Sequence, residues 1–282
     1  MTTASSHDAT AMMRAQEAAS TRSSARRNAC LVGEAFSPWT QKARWALEYG
    51  GISHGYREYT PTLSEPRLRW ELRQWRGAVS VPVLLLPDRV LRGSWDITCH
   101  ADACTGDGRL GELARISGWN TRADAGLAEG RARLLAALEQ DRDALTESLP
   151  TVLPSMLAPA LRPVARDAIA RLQRKYAHLA QPGAMRRALT EARERVQAHG
   201  GGFLLGRFSY ADMVAATLLE MVRPRAQGCA LGAASQRCWT DAALADEFAD
   251  LLAWRERLLA DPGVSPSWWR EPRREPASAA AS

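Results

Sequence analysis

With 282 residues, a hydrophobic fraction of 46% and a charged fraction of 24%, the chain is long enough for two ordinary domains and too apolar to stay unfolded. Its net charge of +6 comes from arginine, but the arginines alternate with Glu and Asp, as in RARLLAALEQDRDAL. No basic stripe interleaved with aromatics is visible, which argues against a nucleic-acid binder.

Residues 1–27 and 271–282 are low in complexity and read as disordered tails. The first lacks the apolar core of a secretory signal and contains Asp8 and Glu17, so a tail is favoured over organellar targeting. Between them, residues 28–107 alternate strand and helix signals. Residues 29–36 read as a buried strand, and 38–49 as an amphipathic helix that stops at Gly50-Gly51. Residues 55–60 alternate as a second strand, and 64–76 form a Trp/Leu/Arg helix. Val81 to Leu86 read as a buried strand, Arg89-Val90-Leu91 as its short return, and Gly93-Ser94 opens another helix with Ser94 as N-cap. The order β-α-β-α-β-β-α implies a parallel first pair and an antiparallel final hairpin.

Residues 108–270 form a second, all-α domain, because the apolar spacing is helical throughout. Pro150, Pro154, Pro159 and Pro163 crowd a region that cannot be one straight helix. In Phe208-Ser209-Tyr210-Ala211-Asp212-Met213, Ser209 and Asp212 have the spacing of a capping box, with Phe208 and Met213 as its hydrophobic staple. That element has a structural role, as the start of a buried helix.

The chemistry concentrates at three positions. Ser37 is a favoured N-cap residue and Pro38 suits the first helical position. The pair therefore places a hydroxyl at a helix end whose free N–H groups attract anions. Thiol-handling folds put their reactive group at such a junction, but here the residue is Ser, so a thiolate would have to arrive with a ligand. Pro82 is either an edge-strand proline or the second residue of a cis Val81–Pro82 bond that turns the Val81 backbone toward an extended, peptide-like ligand. Ser94 either caps its own helix or helps to receive a carboxylate. Together the three suggest a cradle for a small anionic thiol peptide. His54 and Arg57 are weaker candidates, read as solvated loop residues. Trp39, Trp45, Trp70, Trp75 and Trp95 crowd the first third and are expected mainly in the core, with Trp39 as one candidate cleft aromatic.

Other chemistries are not supported. There is no G-x-S-x-G, no phosphate-binding glycine loop, and no apolar run near the roughly 18 residues of a membrane span. The cysteines (Cys30, Cys99, Cys104, Cys229 and Cys238) form no CxxC pair, so no metal site is expected, and reduced thiols point to a cytoplasmic protein.

Taken in order, Ser37-Pro38-Trp39, Lys42-Ala43-Arg44-Trp45-Ala46-Leu47, Val79-Ser80-Val81-Pro82-Val83-Leu84, Ser94-Trp95-Asp96-Ile97 and Ser209-Tyr210-Ala211-Asp212 resemble the glutathione S-transferase superfamily. The resemblance covers residues 29–105 and 200–222 well. It implies a thioredoxin-like N-terminal domain that binds glutathione, an all-α C-terminal domain, and a cleft between them for a hydrophobic electrophile. It also implies a homodimer and a role in detoxification.

On the same resemblance, the Ser37 hydroxyl would hydrogen-bond the glutathione sulfur and stabilise the thiolate. The Val81 backbone, before the family's cis-proline at Pro82, would pair with the cysteinyl part, and Ser94 would hold the γ-glutamyl carboxylate. The acidic residue that usually precedes that Ser is Gly93 here, and Asp96, one turn inside the helix, is the candidate substitute. That departure supports an alternative function, a non-catalytic binding or scaffold protein of the same fold. Glutathione-dependent thiol reduction is disfavoured because Ser, not Cys, occupies position 37.

Overall fold

The computed structural model describes residues 29–61, 63–149, 158–225 and 231–270. Both expected tails, Pro150, Pro154 and Cys229 lie outside them. The chain divides into two compact units, one ending at Asp107 and the other beginning at Gly108.

In the first unit the order is β1 (Cys30–Gly33), α1 (Pro38–Tyr49), β2 (Gly55–Glu58), α2 (Glu65–Glu71), β3 (Val83–Leu85), β4 (Val90–Arg92) and α3 (Ser94–Thr105). The four strands form one sheet in the order β2-β1-β3-β4. β1 pairs with β2 in parallel, and β3 runs antiparallel to both β1 and β4. The parallel first pair and antiparallel hairpin read from the sequence are therefore present.

Because side chains alternate across a strand, the register sorts the core into two layers. Cys30, Val32, Val83 and Leu85 share one face with Leu68 of α2, Leu72 just beyond it, Tyr59 and Val79. Leu31 and Leu84 face the other way, the side on which Tyr56, paired with Leu31, meets Arg44 of α1. α1 and α3 pack together and bury Trp45, Ala46, Ile97 and Ala101 completely.

Several elements are shorter than their sequence signals. β3 starts at Val83 rather than Val81, because Pro82 has no N–H to give a ladder. α2 stops at Glu71 rather than running to 76. There the chain wraps around Arg69, which donates to the Gln74 and Gly77 carbonyls, and Arg73 takes a left-handed φ of 50°.

Of the tryptophans expected in the core, Trp45 is buried and Trp39 and Trp95 are half-buried. Trp70 and Trp75 are each 68% exposed, which corrects the expectation for both. Trp70 lies on the side of α2 opposite Leu68 and Leu72, and Trp75 sits in the loop beyond it.

The second unit is helical: α4 (Leu113–Gln140), α5 (Arg142–Glu147), α6 (Ala158–Tyr176), α7 (Ala184–Ala198), α8 (Tyr210–Glu220), α9 (Ala233–Trp239), α10 (Ala242–Glu247), α11 (Ala249–Ala260) and α12 (Ser267–Arg270). Pro163 lies inside α6. It is the sixth residue of the helix and gives no N–H to its hydrogen-bond ladder; Pro150 and Pro154, of the same proline-rich stretch, lie outside the described residues.

α4 is the organising element. It packs against α6, α7, α8 and α9, and a Cβ on its Gly126 or Gly130 would lie 3.2 Å from the Met185 backbone or 2.8 Å from the Met185 methyl. Arg133 of α4 donates to the carbonyls of Met221, Cys238, Trp239 and Thr240. It thereby satisfies the last carbonyls of α8 and α9.

Helix starts are served the same way. Glu129 accepts from the N–H groups of Gly183 and Met185, both at 2.7 Å. Glu147 accepts from Ala234 at 3.0 Å and Ser235 at 2.7 Å. α7 and α9 are thus capped by carboxylates from elsewhere in the unit.

The Ser209 and Asp212 box is present and begins α8, which is buried along its whole length. Asp212 accepts from Leu204 N–H at 2.8 Å, Ser209 N–H at 2.9 Å and the Ser209 hydroxyl at 3.0 Å. At its other end Glu220 forms a buried ion pair with Arg255 of α11 at 2.9 Å.

Candidate functional site

The turn between β1 and α1 is built from both sides. The Tyr56 hydroxyl donates to Gly33 O at 2.9 Å and to Glu58 at 2.6 Å, and Glu58 accepts from Ala35 N–H at 3.0 Å. From α1, Gln41 Nε2 donates to Ala35 O at 3.1 Å. Burial, reinforced by Glu58, pushes the Tyr56 phenol far above its ordinary value, so it stays protonated and keeps donating. Sequence reasoning singled out neither Tyr56, Glu58 nor Gln41. Their shared task is visible only once β2 lies beside β1.

This turn holds Ser37 at the N-cap of α1, with its N–H bonded to Glu34 O at 3.0 Å and its C=O accepting from Gln41 at 2.9 Å. The hydroxyl does not cap the helix and has no other partner among the described residues. A favoured capping residue thus stands at a positive helix end with its donor uncommitted.

The Val81–Pro82 peptide is cis. Val81 is half-buried against the α2 side of the sheet. Its N–H and C=O have no hydrogen-bond partner among the described residues, whereas Pro82 O accepts from Gly93 N–H at 2.9 Å.

That bond leads to the third position. Ser94 is the first residue of α3 and Gly93 its N-cap, one place earlier than the sequence suggested. Gly93 has φ 82° and ψ 157°, a conformation that glycine adopts without a Cβ penalty. A Cβ there would meet no atom within 4 Å, so the backbone, not crowding, favours glycine. Ser94 is buried and its carbonyl accepts from Thr98 Oγ1 at 2.8 Å. Its hydroxyl has no partner among the described residues.

Register relates the three. Val32 pairs with Val83, and Val83 with Arg92. The exit of β1, the entry of β3 and the exit of β4 therefore lie at one end of the sheet. Ser37, Val81-Pro82 and Ser94 follow or precede those strand ends by a few residues.

The weaker candidates are committed elsewhere. Arg57 forms a two-point ion pair with Glu71, and His54 Nδ1 lies 2.8 Å from Ile52 O. Asp96 is exposed in the first turn of α3. Among the described residues no group of three or more His, Cys, Asp or Glu side chains is placed to hold a metal ion, and no helix is long and apolar enough to cross a membrane.

Residues 36–104 match the family model of the glutathione S-transferase N-terminal domain. Among solved structures, a glutathione S-transferase from Sinorhizobium meliloti 1021 superposes with a TM-score of 0.51 at 16% identity, over 85% of this chain and 96% of that one. A Nu-class transferase from Haemonchus contortus gives 0.53 at 14% identity, over 88% and 98%. A transferase from Methylobacillus flagellatus with glutathione bound gives 0.50 at 14% identity, over 85% and 100%. No curated protein sequence matches. The chain therefore has the glutathione S-transferase fold, a thioredoxin-like unit followed by an all-α one, and the family-model match falls within the first of these units.

Proposed function

We propose that this chain binds glutathione at the sheet end carrying Ser37, Val81-Pro82 and Ser94, and activates its thiol for attack on a small hydrophobic electrophile. The observation that carries the reading is the uncommitted Ser37 hydroxyl at the start of α1. Donated to the ligand sulfur, its hydrogen bond lowers the thiol pKa, and the positive helix end acts in the same direction. The Val81 N–H and C=O form a free donor–acceptor pair suited to a peptide backbone running antiparallel. The Ser94 hydroxyl, beside the first turn of α3, suits the γ-glutamyl carboxylate. In the reaction the thiol proton passes to solvent. The sulfur lone pair then forms a C–S bond to the electrophilic carbon, whose leaving group departs with its bonding electrons. By analogy of fold we assign the protein to the cytoplasm, to detoxification and to a homodimeric state.

A second reading, a binding or scaffold protein without catalysis, is favoured by Gly93, which leaves the cradle one carboxylate short. Calorimetric titration with reduced glutathione separates the two. We expect saturable binding that weakens in Ser94→Ala, and turnover with an electrophile that falls on the order of 10²-fold in Ser37→Ala. Absence of heat at about 1 mM glutathione would refute the transferase and leave the binding module. Turnover unchanged in Ser37→Ala would refute Ser37 as the thiolate stabiliser.

A further inference from the structure

Helix α2 and the loop after it carry a surface that neither the core nor the candidate site uses. Leu63, Trp70 and Trp75 are 70%, 68% and 68% exposed. Single exposed apolar residues are ordinary, but large ones gathered on one short element are not. Pro66 and Trp70 of α2 are four residues apart and Arg67 and Trp70 three, which sets them on neighbouring exposed positions of the helix. Within α2, Pro66, Arg67 and Trp70 are exposed and turned away from the buried Leu68, while Leu63 stands just before the helix and Arg73 just after it.

The charges on this face have one sign. Glu65 and Glu71 are taken up by Arg69 and by Arg57 and Arg67. Arg73 and Arg76 are exposed with no carboxylate partner among the described residues. In RLRWELRQWR, where no basic stripe interleaved with aromatics is expected, the structure exposes Arg67, Trp70, Arg73, Trp75 and Arg76.

The loop that presents Trp75 is also held firmly. Arg69 donates to Gln74 O and Gly77 O, Gln74 Nε2 donates to Ala78 O at 3.0 Å, and Arg92 donates to Gln74 Oε1 at 2.6 Å. Arg73 adopts a left-handed backbone to close the turn, a conformation that costs a non-glycine residue free energy. An ordered loop that nonetheless sets a tryptophan out in solvent is built to present it.

We propose that this face docks on an anionic lipid bilayer. Leu63, Trp70 and Trp75 would sink into the headgroup region while Arg73 and Arg76 meet lipid phosphates. A bilayer accepts protruding apolar side chains without a complementary shape, and negative lipids suit a face with no free carboxylate. A second copy of the same face would set arginine against arginine.

The test is co-sedimentation of the full chain with phosphatidylcholine vesicles, with and without about 30% phosphatidylserine. We expect binding to the anionic vesicles only, weakened at least about tenfold both by Trp70→Ser/Trp75→Ser and by Arg73→Gln/Arg76→Gln, with melting temperatures unchanged. Equal sedimentation of wild type and variants, or none with anionic vesicles, overturns the proposal. So does a loss confined to single-stranded oligonucleotide binding in the same variants, which would assign the face to nucleic acid. A change of mass in solution in Trp70→Ser/Trp75→Ser would overturn it in favour of a second copy.

Discussion

Asp212→Ala is expected to lower the melting temperature of the second unit by about 10 °C. The carboxylate is the acceptor for Leu204 N–H, Ser209 N–H and the Ser209 hydroxyl, all at the start of a helix that is buried on every side. Each buried donor left unpaired costs about 1–3 kcal/mol. With partial relaxation the sum is about 4 kcal/mol, and in a unit of this size each kcal/mol shifts the midpoint by about 2–4 °C.

The same carboxyl has a pH signature. Burial pushes it up from 3.8 to about 6, against the pull of its hydrogen-bond donors. The folded state therefore holds this proton more tightly than the unfolded chain. Its contribution to stability is greatest at low pH and declines as pH rises from about 4 through 6. Glu191, held below its ordinary value first by the Arg122 hydrogen bond, acts in the opposite sense and at lower pH. The diagnostic is thus a difference: denaturation at a series of pH values should show this decline in wild type and not in Asp212→Asn. Parallel curves for the two proteins would refute it.

Arg255→Met is expected to cost about 4 kcal/mol, and Arg255→Met/Glu220→Leu substantially less. Arg255 is almost fully buried and bonds Glu220 at 2.9 Å, Arg223 O at 2.8 Å and Glu256 at 2.9 Å. Without it Glu220 remains in the core with only the Arg225 N–H at 3.2 Å. Removing both charges exchanges a desolvated pair for apolar packing. Chemical denaturation of the two single variants and the double gives the coupling. Additive losses would mean that the pair is not a unit.

The parts of this molecule that could be read beforehand are those in which neighbouring residues supply both signal and partner. The Ser209 and Asp212 box and the Pro38 helix start are local, and the β-α-β-α-β-β-α order is a sum of local signals. What escaped depends on chain segments far apart. Tyr56 and Glu58 anchor the turn before Ser37 only because β2 pairs with β1. Glu220 is visible as an acid in an apolar run, but its partner lies 35 residues away. Trp70 and Trp75 have the composition of core residues. Trp70 is exposed because it faces away from Leu68 and Leu72, and Trp75 because α2 ends at Glu71 and the Arg69 clamp turns the chain before a longer helix could carry it inward. The Ser94 reading missed by one place because Gly93, free to take positive φ, holds the N-cap position itself.

The trans-capping carboxylates bear on how the second unit comes together. Neither α7 nor α9 has a capping side chain of its own at its N-cap. Each obtains one from a glutamate 54 or more residues earlier in the chain. As isolated segments both would begin with unsatisfied amides and fray. They acquire their ends only when α4 and α5 are already in place, while the Arg133 guanidinium closes the far ends of α8 and α9 from the same α4. Amide protection in α7 and α9 is consequently tied to α4, and an opening of that long helix exposes the termini of its neighbours in the same event.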